Sequence, residues 1–360
     1  MKTTDTRVRR AITAVGAGRP VVITTGRQNN NEGYLAFAAE AATPKLVAFM
    51  IRHSSGYVRV ALPSSECERL DLPPICHQGD IDSDASAHRV TVDRRGTGTG
   101  ISATDRAMTI AALAAKGSEP SDFRRPGHVV PVEVAAAGVL GRPGPAEAAL
   151  DLARLAGRRE AAALCEIVSR HRPSAMARGG ELLEFALEHA LPVVSVAELI
   201  SYRRRVEPQV VRMAETVLPN RGGGFRAIGF RDVHGGGEHL ALIVGDVGPG
   251  VPVLLHVHVE CLTSDVFGST ACRCGADLQG ALSDMTAADG GVVIYLRPPG
   301  AMRACGLTDT EVVDSEELSQ TVAWILRDLG VYTIRLADDA PGFGLVIFGA
   351  IREQGLRVAG

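Results

Sequence analysis

The sequence predicts an α/β (α+β) chain of two domains in series, on three observations. Its 360 residues exceed one ordinary domain, for which about 150 residues is usual. Short β-branched runs alternate with Ala/Leu-rich stretches of helical spacing along the whole length. The charged, proline-terminated run Ser201 to Pro208 separates two textures, so the boundary is set to give residues 1–204 and 205–360. In the first part, Pro20 to Ile23 and Val90 to Val92 read as strands, and Asp105 to Lys116 reads as a helix with apolar residues three and four apart. The run 201–208 also fits an exposed helix end. In the second part, Phe225 to Phe230, Leu240 to Val244, Val251 to Val259 and Gly291 to Leu296 read as strands with glycine-rich connections, and Glu316 to Leu329 as a helix.

Hydrophobic residues at 46% and charged residues at 22% are the profile of a compact chain. Aromatics supply only 4%, so the cores rest on Ala, Val, Leu and Ile. A formal charge of −3 gives no basic face for a nucleic acid partner, although one small phosphate site is still allowed. No apolar run is long enough for a membrane span and the N-terminus lacks a signal-type apolar core, so a cytoplasmic location is expected. Seven cysteines are an odd number and mostly scattered, which argues against a disulfide framework. Cys261, Cys272 and Cys274 are the exception, three thiols within fourteen residues, and the other four are expected to be buried small apolar residues. Three thiolates from one loop can take three corners of a tetrahedron and leave the fourth to water, as in a catalytic zinc site; a fourth protein ligand would mark a structural one.

The segments His258 to Asp265 and Gly268 to Gly275, with their ten-residue gap between the first two cysteines, resemble the zinc segment of GTP cyclohydrolase II. The first 195 residues or so resemble dihydroxybutanone phosphate synthase through Ile51 to Gly56, Leu70 to Pro73, Thr99 to Arg106, Pro120 to Val129 and Leu164 to Glu166. Together they resemble the bifunctional riboflavin-biosynthesis family in which these two domains are fused. The resemblance implies zinc on Cys261, Cys272 and Cys274, with a zinc-activated water attacking C8 of guanine, and release of formate and pyrophosphate. It implies a first domain that turns ribulose 5-phosphate into a four-carbon phosphate and formate with a divalent metal. Ser102, Asp105, Arg106, Arg125, His128 and Arg142 match its substrate-binding segments, with Glu32 and Glu166 as acid/base candidates. In the second domain Glu260 is the matching catalytic candidate and Arg303 a candidate for phosphate. Taken without the family, Asp105 and Arg106 read more readily as a helix cap and pair, and His128 as a satisfied core residue, than as a phosphate site.

The same comparison of motifs shows substitutions. Asn29, Asn30 and Tyr34 replace an arginine, a metal-binding glutamate and an aspartate of the synthase pattern, and Pro143 replaces a metal-binding histidine. Magnesium needs hard oxygen ligands with carboxylate charge, so none is expected at the first site. Pro298 and Pro299 stand where the cyclohydrolase has polar guanine readers, Ser315 and Glu317 near its nucleophile site, and Asp338 and Asp339 where basic groups meet phosphate. The expectation is therefore impairment of both reactions, the synthase more than the cyclohydrolase. Three readings follow: an enzyme keeping one activity, a non-catalytic paralogue partnering an active enzyme, or a zinc enzyme for a different small phosphorylated or heterocyclic substrate. A homodimer is expected from the resemblance.

Overall fold

A computed structural model describes residues 3–26, 31–75, 87–219, 224–250, 252–307, 315–336 and 355–358. They form two compact units, Met1–Arg203 and Arg204–Gly360. The first unit contains α1 (Thr3–Gly16), β1 (Val21–Thr24), β2 (Gly33–Ala38), α2 (Pro44–His53), β3 (Arg59–Leu62), α3 (Ser64–Arg69), β4 (Val92–Arg94) and α4 (Ala103–Ala114). It continues with β5 (Phe123–Glu133), α5 (Pro145–Leu155), β6 (Ala162–Glu166), α6 (Gly180–Glu188), β7 (Val193–Ser195) and α7 (Val196–Val206), whose last residues fall in the second unit. Among the described residues these strands make one mixed seven-stranded sheet, ordered β4-β5-β3-β6-β2-β1-β7.

Side chains alternate across a strand, and here both faces are covered. Leu35 and Phe37 of β2 enter one core with Cys165 and Met50, while Tyr34, Ala36 and Ala38 enter the other with Val8, Leu152 and Leu199. That is why β2 reads as an unbroken buried run. Small residues dominate the second core, in keeping with helices α1 and α5 lying close on the sheet. The run 201–206 is the end of α7. Arg203 within it is fully buried, with its guanidinium 2.7 Å from both the Asp151 carboxylate and the Ala137 carbonyl. Asp151 also accepts from the Val139 amide at 2.9 Å, and burial pushes its carboxyl up against the pull of Arg203. Removing one member of such a pair would strand a buried charge at a cost of about 3–5 kcal/mol.

The second unit contains β8 (Val210–Leu218), β9 (Phe225–Asp232), β10 (Glu238–Val244), β11 (Val253–Val259), α8 (Leu262–Asp265), α9 (Cys274–Ala287), β12 (Gly291–Leu296), α10 (Ser315–Asp328), β13 (Thr333–Leu336) and β14 (Arg357–Val358). Their sheet order is β14-β13-β11-β12-β10-β9-β8. Alternation along β12 again splits two cores: Val292, Ile294 and Leu296 pack with α10 residues Val322, Ile325 and Leu326, and Val293 packs with Leu278, Ala281 and Met285 of α9. The parallel pair β11/β12, in register from Leu255↔Val292 to Val259↔Leu296, sends both chains out at the same sheet end.

Sequence periodicity finds β1, α4, β9, β10, β11, β12 and α10, and among the others it misses β8. That strand is exposed at every position after Val210, so it carries no inside/outside rhythm to read. The strand expected at 90–92 forms instead at Val92–Arg94, where pairing to β5 shifts register between Val92 and Asp93. Asn29, Asn30, Asp338 and Asp339 lie outside the described residues.

Candidate functional site

In the second unit the end of β11 delivers Cys261 as the residue preceding α8; Cys272 follows in the loop, and Cys274 begins α9. The turn after β12 adds a fourth thiol, Cys305, and one sulfur from each of the four lies within 4.8 Å of the others. The Cys261 and Cys272 sulfurs are 3.7 Å apart, and those of Cys274 and Cys305 3.9 Å. Gly275 lets α9 start this close to α8: its amide donates to the Ser264 hydroxyl at 2.9 Å, and a Cβ there would sit 2.8 Å from the Ser264 carbonyl oxygen. Burial raises the Cys261 thiol, but contact with the Thr263 hydroxyl at 3.5 Å and hydrogen bonds from the Cys305 and Ser264 backbone outweigh it and bring the group to about 6. Burial and neighbouring thiols push Cys274 and Cys305 up, as expected when several thiols share one site. Soft thiolate donors converging in this way fit zinc.

Asp265 braces the cluster. Its carboxylate accepts from the Cys261 amide at 2.9 Å and the Tyr295 hydroxyl at 2.8 Å, and meets His258 Nε2 at 3.0 Å. His258 stacks on the Tyr295 ring, and burial together with the Asp265 carboxylate pushes the phenol well up, keeping it protonated. A cavity beside the sulfurs is lined by His256, Glu260, Cys274, Asp277 and Arg303. His256 is buried, its imidazole held below the free value first by burial and then by His258, and its Nε2 has no hydrogen-bond partner among the described residues. Glu260 receives Arg297 Nε at 3.2 Å and faces a second cavity with Pro298, Pro299 and Met302. Glu317, in α10, accepts from Arg204 at 2.9 Å, which neutralises the charge read from the sequence as opposed to phosphate.

In the first unit Tyr34 of β2 lies opposite Glu166 of β6. Glu166 is ion-paired to Arg59 of β3 and accepts from the Ser55 hydroxyl at 3.3 Å; the Arg59 guanidinium sits 5.4 Å from the centre of the Tyr34 ring. Burial first, then the charge of Glu166, raises the Tyr34 phenol, and Glu32 acts in the same direction. Glu32 itself is paired with Arg178 at 2.6 Å. Next to Ser55, the Gly56 carbonyl accepts from Arg106 at 3.0 Å, and the buried Nε of Arg106 has no partner among the described residues. Beyond it the buried Asp93 takes both the His128 amide, at 2.9 Å, and His128 Nδ1, at 2.8 Å. His128 is thus a half-exposed residue rather than a core one, its side chain 40% accessible. Gly127, inside β5, allows the close approach to Val92 beside it: a Cβ there would lie 2.0 Å from the Val92 carbonyl carbon.

The remaining matched residues serve the framework. Ser102 caps α4, its hydroxyl accepting from the Asp105 amide at 3.0 Å, while the Asp105 carboxylate accepts from Gly98 and Gly100. Arg125 donates to the Leu70 and Asp71 carbonyls at 2.8 and 3.0 Å. Arg142 pairs with the buried Glu147 and donates to the Glu133 carbonyl at 2.8 Å. The residue that sequence reasoning missed is Cys305, set aside there as a small buried apolar residue. Cys67 and Cys165 are buried, Cys76 lies outside the described residues, and Cys305 joins the cluster. Its signal was weak, since it stands 31 residues beyond Cys274 and only the pairing of β11 with β12 brings it back.

A mixed-sheet domain with ion-paired carboxylates around Tyr34, followed by a domain in which four thiols converge as soft metal donors would, fits a fused two-domain metalloenzyme. The family profile described as 3,4-dihydroxy-2-butanone 4-phosphate synthase matches residues 9–202, and that described as GTP cyclohydrolase II matches residues 211–342. The riboflavin biosynthesis protein RibBA of Salinispora arenicola is 45% identical over 376 aligned positions, covering 97% of this chain and 89% of that one. The chain belongs to this family of bifunctional riboflavin-biosynthesis proteins. Among solved structures, RibBX of A. baumannii, described as a two-domain 3,4-dihydroxy-2-butanone 4-phosphate synthase, is 29% identical with a TM-score of 0.74, covering 98% of this chain and 99% of that one. A 3,4-dihydroxy-2-butanone 4-phosphate synthase in complex with two magnesium ions is 38% identical with a TM-score of 0.52, covering 56% of this chain and 97% of that one.

These relatives correct three expectations drawn from substituted motif residues. Identity of 44–49% to proteins of the bifunctional family overturns impairment of both reactions and the non-catalytic alternative. It equally overturns the doubt that the chain is an enzyme and the ranking of synthase below cyclohydrolase, since the likeness runs through both domains and the cysteine cluster is intact. The magnesium-bound relative overturns the expectation of no magnesium at the first site. The physical reason is that magnesium asks for one or two carboxylates and fills its other positions with water and substrate oxygens. Two carboxylates, Glu32 and Glu166, act on Tyr34 whatever stands at the substituted positions, each paired with an arginine in this structure.

Proposed function

We propose that the chain is a bifunctional riboflavin-pathway enzyme. Its first domain, residues 1–204, would convert ribulose 5-phosphate to dihydroxybutanone phosphate and formate, and its second, residues 205–360, would open GTP with loss of formate. The observation that carries this is 45% identity over 97% of the chain, through both candidate sites, to a protein of that type. In the first domain Glu32 and Glu166 hold a magnesium ion or move protons, and Arg106 and His128 face the sugar phosphate. Ser102, Asp105, Arg125 and Arg142 shape the loops around it. In the second domain Cys261, Cys272 and Cys274 hold zinc, which when bound supplies Lewis acidity for attack on the purine ring. Glu260 and the neutral His256 offer hydrogen-bonding groups to the heterocycle, and Arg303 offers charge to phosphate.

No helix among the described residues is long and apolar enough to cross a membrane. A cytoplasmic homodimer fits this reading, and the exposed Val211, Met213 and Val217 of β8 offer apolar surface for a second copy. The test is formate release, measured separately from ribulose 5-phosphate with magnesium and from GTP with zinc-loaded chain. Formate from both substrates is expected. Formate from neither, with folded zinc-bound protein, would reject the proposal.

A further inference from the structure

The cyclohydrolase motif contains three cysteines, yet four thiols converge in the second unit. We propose that Cys305 is a fourth metal ligand, so that the centre is a four-thiolate site in which no position opens to water until Cys305 is displaced. This rests on the zinc centre assigned above. A zinc–sulfur bond of about 2.3 Å fixes the sulfur–sulfur edge of a tetrahedron at about 3.8 Å. The pairs Cys261/Cys272 at 3.7 Å and Cys274/Cys305 at 3.9 Å share no member, so they match two opposite edges of one tetrahedron and account for all four corners. Disulfide bonding does not explain the approach, because it needs about 2.05 Å and these cysteines are free.

Cys305 is held in place by the backbone on both sides. The Leu262 amide donates to the Arg303 carbonyl at 2.8 Å, the Thr263 hydroxyl to the Cys305 carbonyl at 3.2 Å, and the Leu307 amide to the Ala304 carbonyl at 3.0 Å. Two of these bonds come from α8, directly after Cys261, so the segment carrying the fourth thiol is tied to the segment carrying the first. The Cys305 segment is nevertheless separate from the loop that bears the other three. Cys305 is thus the one thiol of the four whose loss would leave the single-loop set Cys261, Cys272 and Cys274 complete. Zinc sites with four protein ligands are closed, and hydrolytic ones keep one position open. The inferred centre is closed at rest and opens through one residue.

X-ray absorption at the zinc edge of the full-length, zinc-loaded chain tests this. Four sulfur neighbours at about 2.3 Å are expected, falling to three sulfurs and one oxygen or nitrogen in Cys305→Ala with zinc still bound. Cobalt substitution gives a second reading, with weaker thiolate charge-transfer absorption in the variant. Three sulfurs and one lighter atom in the unaltered chain would overturn the proposal, as would a sulfur count unchanged by Cys305→Ala. If the unaltered chain binds no zinc, the cyclohydrolase reading falls with it. If it shows three sulfurs and releases formate from GTP, only the fourth ligand is wrong.

Discussion

The thiols of the second unit come from two segments that leave adjacent parallel strands at one sheet end, and three of the four fall within the fourteen residues from Cys261 to Cys274. In the first unit the candidate groups are drawn from β2, β3, β6, α4, β5 and the turn at Ser55, and most are already paired inside the protein: Glu166 with Arg59, Glu32 with Arg178, His128 with Asp93. A metal centre of soft ligands can be packed into a short stretch of sequence because one ion organises it. A sugar-phosphate site of hard charges has to be spread through a fold whose hydrogen bonds fix each side chain before the substrate arrives.

That contrast is broken or sharpened most strongly by Cys261→Ala. Metal analysis should show zinc held more weakly by the three remaining thiols, and formate release from GTP should fall at least about 100-fold, since even residues that only support metal ligands cost about 10–100-fold. Formate from ribulose 5-phosphate should be unchanged; an equal loss in both reactions would mean that the two sites are not independent. Glu166→Gln is the converse experiment. Formate from ribulose 5-phosphate should drop by about 10²–10⁴, the usual contribution of a positioned acid or base, with GTP turnover kept. Retention of the synthase rate would remove Glu166 from the chemistry and leave it as the partner of Arg59.

A smaller effect is expected from His53, which packs among Phe49, Phe185 and His189 with ring centres about 5 Å apart. Burial, then His189 and Arg170, hold its imidazole below the free value. The unfolded chain therefore takes up a proton first as pH falls, so the contribution of His53 is complete above about pH 6.5 and is lost as the pH drops toward the folded value. Thermal unfolding should show a lower midpoint at acidic pH, and His53→Asn should flatten that dependence; an unchanged slope would place the acid sensitivity elsewhere.

Both folds were legible through strand periodicity and motif order, because buried strands such as β12 and amphipathic helices such as α10 repeat a pattern that burial imposes. The metal loop was legible for the same reason: its ligands are close in sequence. What escaped was whatever depends on pairing between distant strands. Cys305 is one case, and the framework roles of Arg125 and Arg142 are another, since each guanidinium is spent on carbonyls that only the folded chain brings near. Position-by-position comparison of motifs also overweighted substitutions. It had no way to see that Arg204 offsets Glu317, or that Glu32 and Glu166 lie around one tyrosine.

The hydrogen-bonded pair β11/β12 has a further consequence for how such a centre is made. Leu296 already accepts from the Glu260 amide at 2.9 Å, so the two chain segments that carry Cys261 and Cys305 are brought side by side by the sheet itself. Closing the loop of roughly 44 residues between them is an entropic cost met by strand pairing, not by the ion. The sheet works as a jig: it sets side by side the two segments from which the thiols project.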